Sequence, residues 1–224
     1  MSGAAFFDLD RTLLDVNSGH LWLREEWRDG RLSARTAGRA IYWFTRYALG
    51  ASDLDQAMDE AAALYRGEPE AEMAARVEAW FQRALRHRLR PGAIRALQTH
   101  RERGDVCVLA TSSTQYAAAA AQQAFGLDDA ISTRLASRDG VLDGTLAASA
   151  FGAHKLTRCA AWADARGIAL ENCSFYTDSA SDLPLLERVG APVVVNPDRR
   201  LRKLAAARGW PVVDWGAAPE PARS

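Results

Sequence analysis

The sequence has almost no lysine. Of its 28 basic residues only Lys155 and Lys203 are lysines, against 26 arginines. In so arginine-biased a chain, a retained lysine suggests a place where a compact ammonium is wanted rather than a planar guanidinium. Net charge is lacking too, since 28 acidic residues balance the 28 basic ones. Neither a nucleic acid nor an anionic membrane surface is therefore expected as a partner. No apolar run approaches the ~20 residues of a bilayer span. The opening Met1-Ser2-Gly3-Ala4-Ala5 carries no basic residue and meets Asp8 too early for a signal peptide. Cysteine is scarce: Cys107, Cys159 and Cys173 are odd in number, widely spaced and set among apolar or small residues. Buried free thiols in a reducing compartment explain them better than disulfides or zinc, and the cytoplasm is the expected location.

What is present is an ordinary globular composition. At 224 residues, 48% hydrophobic and 25% charged, the chain can bury a proper core as one domain with an insertion or as two small domains. Its most informative stretch is Phe6-Phe7-Asp8-Leu9-Asp10-Arg11-Thr12-Leu13-Leu14, an apolar run that ends in two carboxylates one residue apart. Neighbouring carboxylates repel unless a cation or a shared proton relieves them, and that is how one can stay an anionic nucleophile while the other serves as an acid. Because the chain must turn here, Asp8 and Asp10 are expected to meet across a small cavity. By itself the pair is read equally well as a solvated turn or a helix cap.

Residues 4–7 read as a buried strand, and the following segment to about Leu89 is helical in character. Ala37, Ile41, Phe44 and Ala48 fall at helical spacing; so do Leu54, Met58, Ala61 and Tyr65 behind a Ser52 cap, and Met73, Val77, Trp80 and Ala84 behind Pro69. Gly50 and Gly67 are candidate stops. From Pro91 the pattern alternates. A helix from 93 to 103 precedes the continuous apolar run Val106-Cys107-Val108-Leu109-Ala110, which suits a strand buried on both faces. Next come a helix over 115–125, a strand near 131–135, and a hairpin with Asp139-Gly140 or Asp143-Gly144 as its turn. A helix over 154–166, a strand over 173–176, a helix from Asp182 to about Val189, a strand over 192–195, a helix over 201–208 and a short strand at 211–213 complete the pattern. This predicts an α/β fold: a doubly wound parallel, Rossmann-like sheet over 1–14 and 90–216, with an all-helical cap inserted at 15–89 and a loose tail at 217–224. In such a sheet the ligand sits beyond the carboxyl ends of the strands.

Three strand ends then aim polar groups at one place: Asp8 and Asp10; Thr111 and Ser112; Asp178 and Asp182. Lys155 opens a helix between the last two. Each has a plain structural reading as cap, turn or surface residue, but their joint occurrence is improbable as accident.

The segments FFDLDRTLL, VLATSS, His154-Lys155 and YTDSASDLPLLE resemble, in order and spacing, the four motifs of the haloacid dehalogenase-like (HAD) superfamily of phosphohydrolases. The resemblance covers essentially the whole chain, because the phosphoserine phosphatase-like branch (subfamily IB) places its helical cap after the first motif. It implies a phosphoric monoester hydrolase in which Asp8 forms an aspartyl-phosphate and Asp10 is the general acid and base. It further implies that Thr12 holds the turn, that Thr111, Ser112 and Lys155 grip the phosphoryl oxygens, and that Mg²⁺ is bound by Asp8, the Asp10 main-chain carbonyl and Asp178. Asp182 would orient a metal-bound water or Lys155 from behind. Asp10 favours ester hydrolysis over dehalogenation, while transfer by a mutase stays open.

The resemblance breaks at the cap. A phosphoserine phosphatase is expected to carry a glutamate seven residues after the acid/base Asp, to hold the substrate ammonium, and here that residue is Asn17. Asn17, Ser18, His20 and Trp22 are expected near the leaving group, with helix capping and core packing as the alternative. Arg46 and Arg66 could each meet a substrate anion, and the remaining tryptophans are read as core. The expected partner is a small phosphorylated metabolite. Phosphoserine, histidinol phosphate and sugar phosphates stay open, as do the oligomeric state and a catalytically silent binding module.

Overall fold

The structure, a computed structural model, describes residues 3–33, 38, 42 and 54–218, with only the backbone for 54–58. The helix read through Ala37 and Ala48, the stop at Gly50, the Ser52 cap and Arg46 lie outside the described residues. In chain order the described elements are β1 (Ala4–Phe7), α1 (Ser18–Arg28), α2 (Leu54–Ala63), α3 (Glu70–Ala84), α4 (Pro91–Glu102), β2 (Val106–Thr114), α5 (Gln115–Phe125), β3 (Asp129–Arg138) and β4 (Val141–Ala148). They continue with α6 (Gly152–Asp164), β5 (Cys173–Thr177), α7 (Leu183–Leu186), β6 (Ala191–Val195), α8 (Arg199–Arg208) and β7 (Val212–Val213). Among the described residues no helix is long and apolar enough to cross a membrane.

The strands form one sheet in the order β4-β3-β2-β1-β5-β6-β7, parallel throughout except for β4 against β3. β1 lies between β2 and β5, so Phe6 pairs with Val108 on one side and Phe175 on the other. Successive side chains of a strand point to opposite faces. Phe6 accordingly enters the core with Val108, Phe175 and Leu201, while Phe7 enters the other with Leu109, Phe81 and Trp215. Phe7 stacks on Tyr176 at 4.9 Å and Phe6 meets Trp162 edge-on at 5.5 Å. A strand covered on both faces must be apolar throughout, which is why β1 lacks polar alternation. All three cysteines are free and buried.

The helical segment leaves and rejoins the core at one point. Leu14 bridges Leu89, Asp15 N–H donates to Arg88 carbonyl at 3.1 Å, and Arg90 N–H donates to Leu13 carbonyl at 2.9 Å. Within it α3 buries Met73, Val77, Trp80 and Phe81, at the helical spacing of one face. Each contributes about 1.5–3 kcal/mol by leaving water. A second bridge, Pro69 to Val141, ties the start of α3 to the β3–β4 hairpin.

Several boundaries differ from expectation for identifiable reasons. Asp139 and Gly140, both at positive φ (+52° and +76°), form the hairpin turn; two such residues suit the twist of a tight hairpin. Asp143-Gly144 lies inside β4, where the register shifts and Gly144 sits at φ +77°, as at a bulge. The helix expected from Asp182 to Val189 is only the four residues of α7, after a single turn at Ala180–Asp182. It ends because the chain must turn at Gly190, whose backbone packs directly on Glu171: a Cβ there would lie 1.8 Å from the Glu171 carbonyl oxygen. Residues 217 and 218 of the segment expected to be a loose tail are described. Ala218 is buried and its N–H donates to Asp15 Oδ2 at 3.1 Å.

Candidate active site

β1 delivers Asp8 to the carboxyl edge of the sheet, and its N–H donates to Tyr176 carbonyl at 2.9 Å. The chain then leaves the sheet in one wide turn over Leu9–Leu13, closed by Leu13 N–H to Asp8 carbonyl at 3.3 Å and Leu14 N–H to Leu9 carbonyl at 2.9 Å. Arg11 at its apex has φ +58°, a left-handed conformation that costs a non-glycine residue about 1–3 kcal/mol and persists where the surroundings hold it. Thr12 does the holding. Its buried hydroxyl accepts from Asp178 N–H at 3.0 Å and donates to Asp178 Oδ1 at 3.4 Å, joining the first loop to the one after β5.

Lys155, in the first turn of α6, is 1% exposed and lies between two carboxylates: Asp8 Oδ1 at 3.0 Å and Asp182 Oδ1 at 2.8 Å. Burial works against the ammonium, but Asp182 and Asp8 outweigh it and raise its pKa. Asp182 is fixed in turn by Thr177, whose hydroxyl donates to Asp182 Oδ2 at 2.6 Å. For Asp8 burial dominates: its pKa is raised well above the usual carboxylate value, Lys155 opposing and Asp182, Asp178 and Asp10 adding to the rise. Asp178 is pushed up to about 7, chiefly by burial, with Arg11 opposing and Asp182 and Asp10 reinforcing.

Asp10 lies near enough to raise Asp8 but has hydrogen-bond partners of its own. Its carboxylate turns to the start of α1, where Ser18 N–H donates to Oδ1 at 2.7 Å, and to Ser113, whose hydroxyl donates to Oδ2 at 3.5 Å. Burial raises its pKa and the Ser18 bonds oppose that rise. The Ser18 and Ser113 hydroxyls are themselves 3.3 Å apart. The sequence places Ser18 near the leaving group, or as a helix cap, and Ser113 at a strand end; it does not tell that the first helix of the insertion returns to the acid at 10. Thr111 is buried at the end of the apolar run, its hydroxyl accepting from Ser113 N–H at 3.1 Å, and Ser112 follows it on β2.

The cap residues divide differently from expectation. Asn17 caps α1, its Oδ1 accepting from His20 N–H at 2.9 Å, and His20 is exposed on the first turn. Trp22 packs inside the helical segment: its Nε1–H donates to Tyr65 hydroxyl at 2.8 Å, it meets Trp80 edge-on at 5.1 Å, and Arg76 lies 5.7 Å from its ring. Arg66 lies against Gly144 of β4. Trp27, read as core, is 58% exposed.

The donor set suits a small divalent cation. Asp182, Asp178 and Asp10 lie close enough to raise Asp8, and Asp182 and Asp10 to raise Asp178, with the Lys155 ammonium opposing at Asp8 and the Arg11 guanidinium at Asp178. Among the described residues no three Asp, Glu, His or Cys side chains group to hold a metal by themselves. Mg²⁺ commonly takes one or two carboxylates and keeps several waters, so two aspartates with a main-chain carbonyl are a sufficient protein contribution.

The chain is similar to known proteins over most of its length. The chain is 30% identical over 228 residues to phosphoserine phosphatase SerB1 of Mycobacterium tuberculosis, covering 100% of this chain and 74% of that protein. It is 29% identical over 221 residues to histidinol-phosphatase of Neisseria meningitidis serogroup C, covering 96% and 100%. A crystal structure of a protein with unknown function from Bordetella pertussis Tohama I superposes with a TM-score of 0.88 at 33% identity, over 96% of this chain and 100% of that one. The family model described as haloacid dehalogenase-like hydrolase matches residues 5–187. A match that runs from the first strand to just past the Asp182 turn covers every strand end of the site, and the chain belongs to the haloacid dehalogenase-like hydrolase family.

Proposed function

We propose that the chain hydrolyses a small phosphomonoester in two displacements, with Asp8 as nucleophile and Asp10 as acid, then base. The observation that carries this reading is that the two acids have different partners. Asp8 shares the buried Lys155 with Asp182, whereas the Asp10 carboxylate accepts from Ser18 N–H at the N-terminus of α1. Two carboxylates in such different surroundings can hold different protonation states at one pH.

In the first displacement an Asp8 oxygen bonds to phosphorus as the ester P–O bond breaks, and the departing alkoxide takes the proton of Asp10. In the second, water attacks the aspartyl-phosphate, Asp10 takes the water proton, and Asp8 leaves as a carboxylate with inorganic phosphate. Splitting one hard hydrolysis into two displacements is the gain of covalent catalysis, and the exchange of roles at Asp10 follows from running proton transfer in both directions. Lys155 stands beside Asp8 Oδ1, where its ammonium can meet the oxygens of the transferring group. Thr111 accepts from Ser113 N–H, which leaves its own proton to donate to such an oxygen, with the Ser112 main chain alongside. Mg²⁺, held by the Asp8 and Asp178 carboxylates and the Asp10 main-chain carbonyl, would supply neutralisation of the charge that builds on the phosphoryl group. Thr12 and Asp182 position Asp178 and Lys155 respectively.

For substrate, Asn17 spends its carbonyl on capping α1, so no anion stands there for a substrate ammonium. The two named relatives act on different esters at nearly equal identity, and likeness alone does not choose between them. A phosphorylated alcohol without a required ammonium at that position is the class favoured.

The test is phosphate release from a panel of phosphomonoesters, with Mg²⁺ and with chelator, for the native chain, Asp8→Asn and Asp10→Asn. Turnover of one ester only with metal, none in Asp8→Asn, and a phosphorylated protein accumulating in Asp10→Asn is the expected outcome. A folded native chain that binds an ester without turning it over would make a binding module the better reading.

A further inference from the structure

A cavity of about 590 Å³ lies between α3 and the surface made by α5, β3 and α6, and it shares no residue with the site above. Beside Tyr116 its apolar wall is made of small side chains: Ala74 and Ala75 come from α3, Ala118 and Ala119 from α5. Larger side chains at these positions would fill the space. Two guanidinium groups face it, Arg134 of β3 and Arg158 of α6. Arg158 is half-buried and donates from Nη1 to the main-chain carbonyl of Ser132. Among the described residues no carboxylate forms an ion pair with either arginine, and burial together with the Arg134 charge holds the Arg158 guanidinium below its usual pKa.

Arg158 is half-buried beside the like charge of Arg134, an arrangement that is unfavourable unless an anion joins them. The guanidinium fork matches the oxygens of a phosphate or carboxylate, and bonds of this charged kind are about twice as strong as neutral ones. At the α3 wall Glu78 is held by Gln82, whose Nε2 donates to Oε1 at 2.8 Å, so Oε2 is available to accept. The volume falls in the range of small-molecule sites.

We propose that this groove is a second ligand site, taking a small metabolite with its phosphate or carboxylate on Arg134 and Arg158 and a hydroxyl or ammonium donor toward Glu78. Neither arginine takes part in the catalytic reading, so the site stands or falls independently of it.

The test is equilibrium binding of labelled inorganic phosphate in chelator, on the native chain, Arg134→Gln and Arg134→Glu. Arg134 is exposed and among the described residues carries no ion pair, so these variants retain the fold; circular dichroism checks that. Loss of one charged fork weakens binding by about 10–100-fold in Arg134→Gln, and charge reversal abolishes that component. KM and kcat for any ester turned over stay within about two-fold, since a 1.4 kcal/mol change would be needed for ten. Phosphate held at Lys155, Thr111 and Ser112 is untouched by either variant. Identical isotherms for all three proteins, or no phosphate bound by the folded native chain, would overturn the proposal.

Discussion

Replacing Lys155 by methionine removes a buried counter-charge while keeping most of the side-chain volume. The ammonium is 1% exposed, 3.0 Å from Asp8 and 2.8 Å from Asp182. Removing one partner of a buried ion pair typically costs about 3–5 kcal/mol, because the remaining charge is left unpaired in a medium that solvates it poorly. For a chain of this length each kcal/mol moves Tm by ~2–4 °C, so the expected fall is about 6–20 °C. The loss depends on pH with a definite sign. Asp8 already has a raised pKa through burial, and Lys155 is the charge that opposes the rise. Without it the folded-state value climbs further above the unfolded value of ~3.9. A raised carboxylate contributes its stability below the unfolded value and loses it as pH rises through the folded one. The gap between variant and native chain should therefore narrow from pH 7.5 toward pH 5. Urea denaturation in chelator, followed by circular dichroism at both pH values, reads this directly. Equal stability of the two proteins at pH 7.5 would refute the view that Lys155 is a buried counter-ion.

Thr12→Val keeps the shape but removes the acceptor of Asp178 N–H, and should destabilise by about 1–3 kcal/mol in urea titration while weakening metal dependence of any turnover. Gly92→Ala places a Cβ 2.3 Å from the Trp215 indole; overpacking of this kind costs about 1–3 kcal/mol, visible as a lower Tm and altered tryptophan emission. Asp105 is opposed by partial burial but held low overall by His100 at 2.8 Å and by Gly3 N–H at 2.9 Å. Its contribution is present above the unfolded carboxylate value and lost as pH falls through the lower folded one, so native stability should drop below about pH 4 more steeply than that of Asp105→Asn.

The sheet was legible because β1 and β2 are apolar without alternation, and helices separate the parallel strands. The site was legible for the same reason: a strand that ends in Asp, Thr or Asp-x-x-x-Asp puts those groups at one edge, whatever the loops do. Direction of side chains was not. The Asp8 and Asp10 spacing cannot tell that the turn over Leu9–Leu13 places Arg11 at positive φ and brings Asp10 onto Ser18. Which Asp-Gly made the hairpin was equally hidden, since each brings a glycine that takes positive φ, Gly140 in the turn and Gly144 inside β4. Trp22 looked like a substrate residue by nearness in sequence, but helical periodicity carries it to Tyr65 and Trp80.

The bridge between Leu14 and Leu89 makes the segment between them replaceable in a particular sense. Its ends are already held together by the core, so exchanging it changes little of the entropy of closing that loop, which grows only slowly with length. A graft that respected this doorway and the Pro69–Val141 clasp could bring a new helical roof over the same aspartates. It would also have to offer a main-chain N–H to Asp10, as Ser18 does. A roof lacking that one donor would keep its shelter and mistune the acid beneath it.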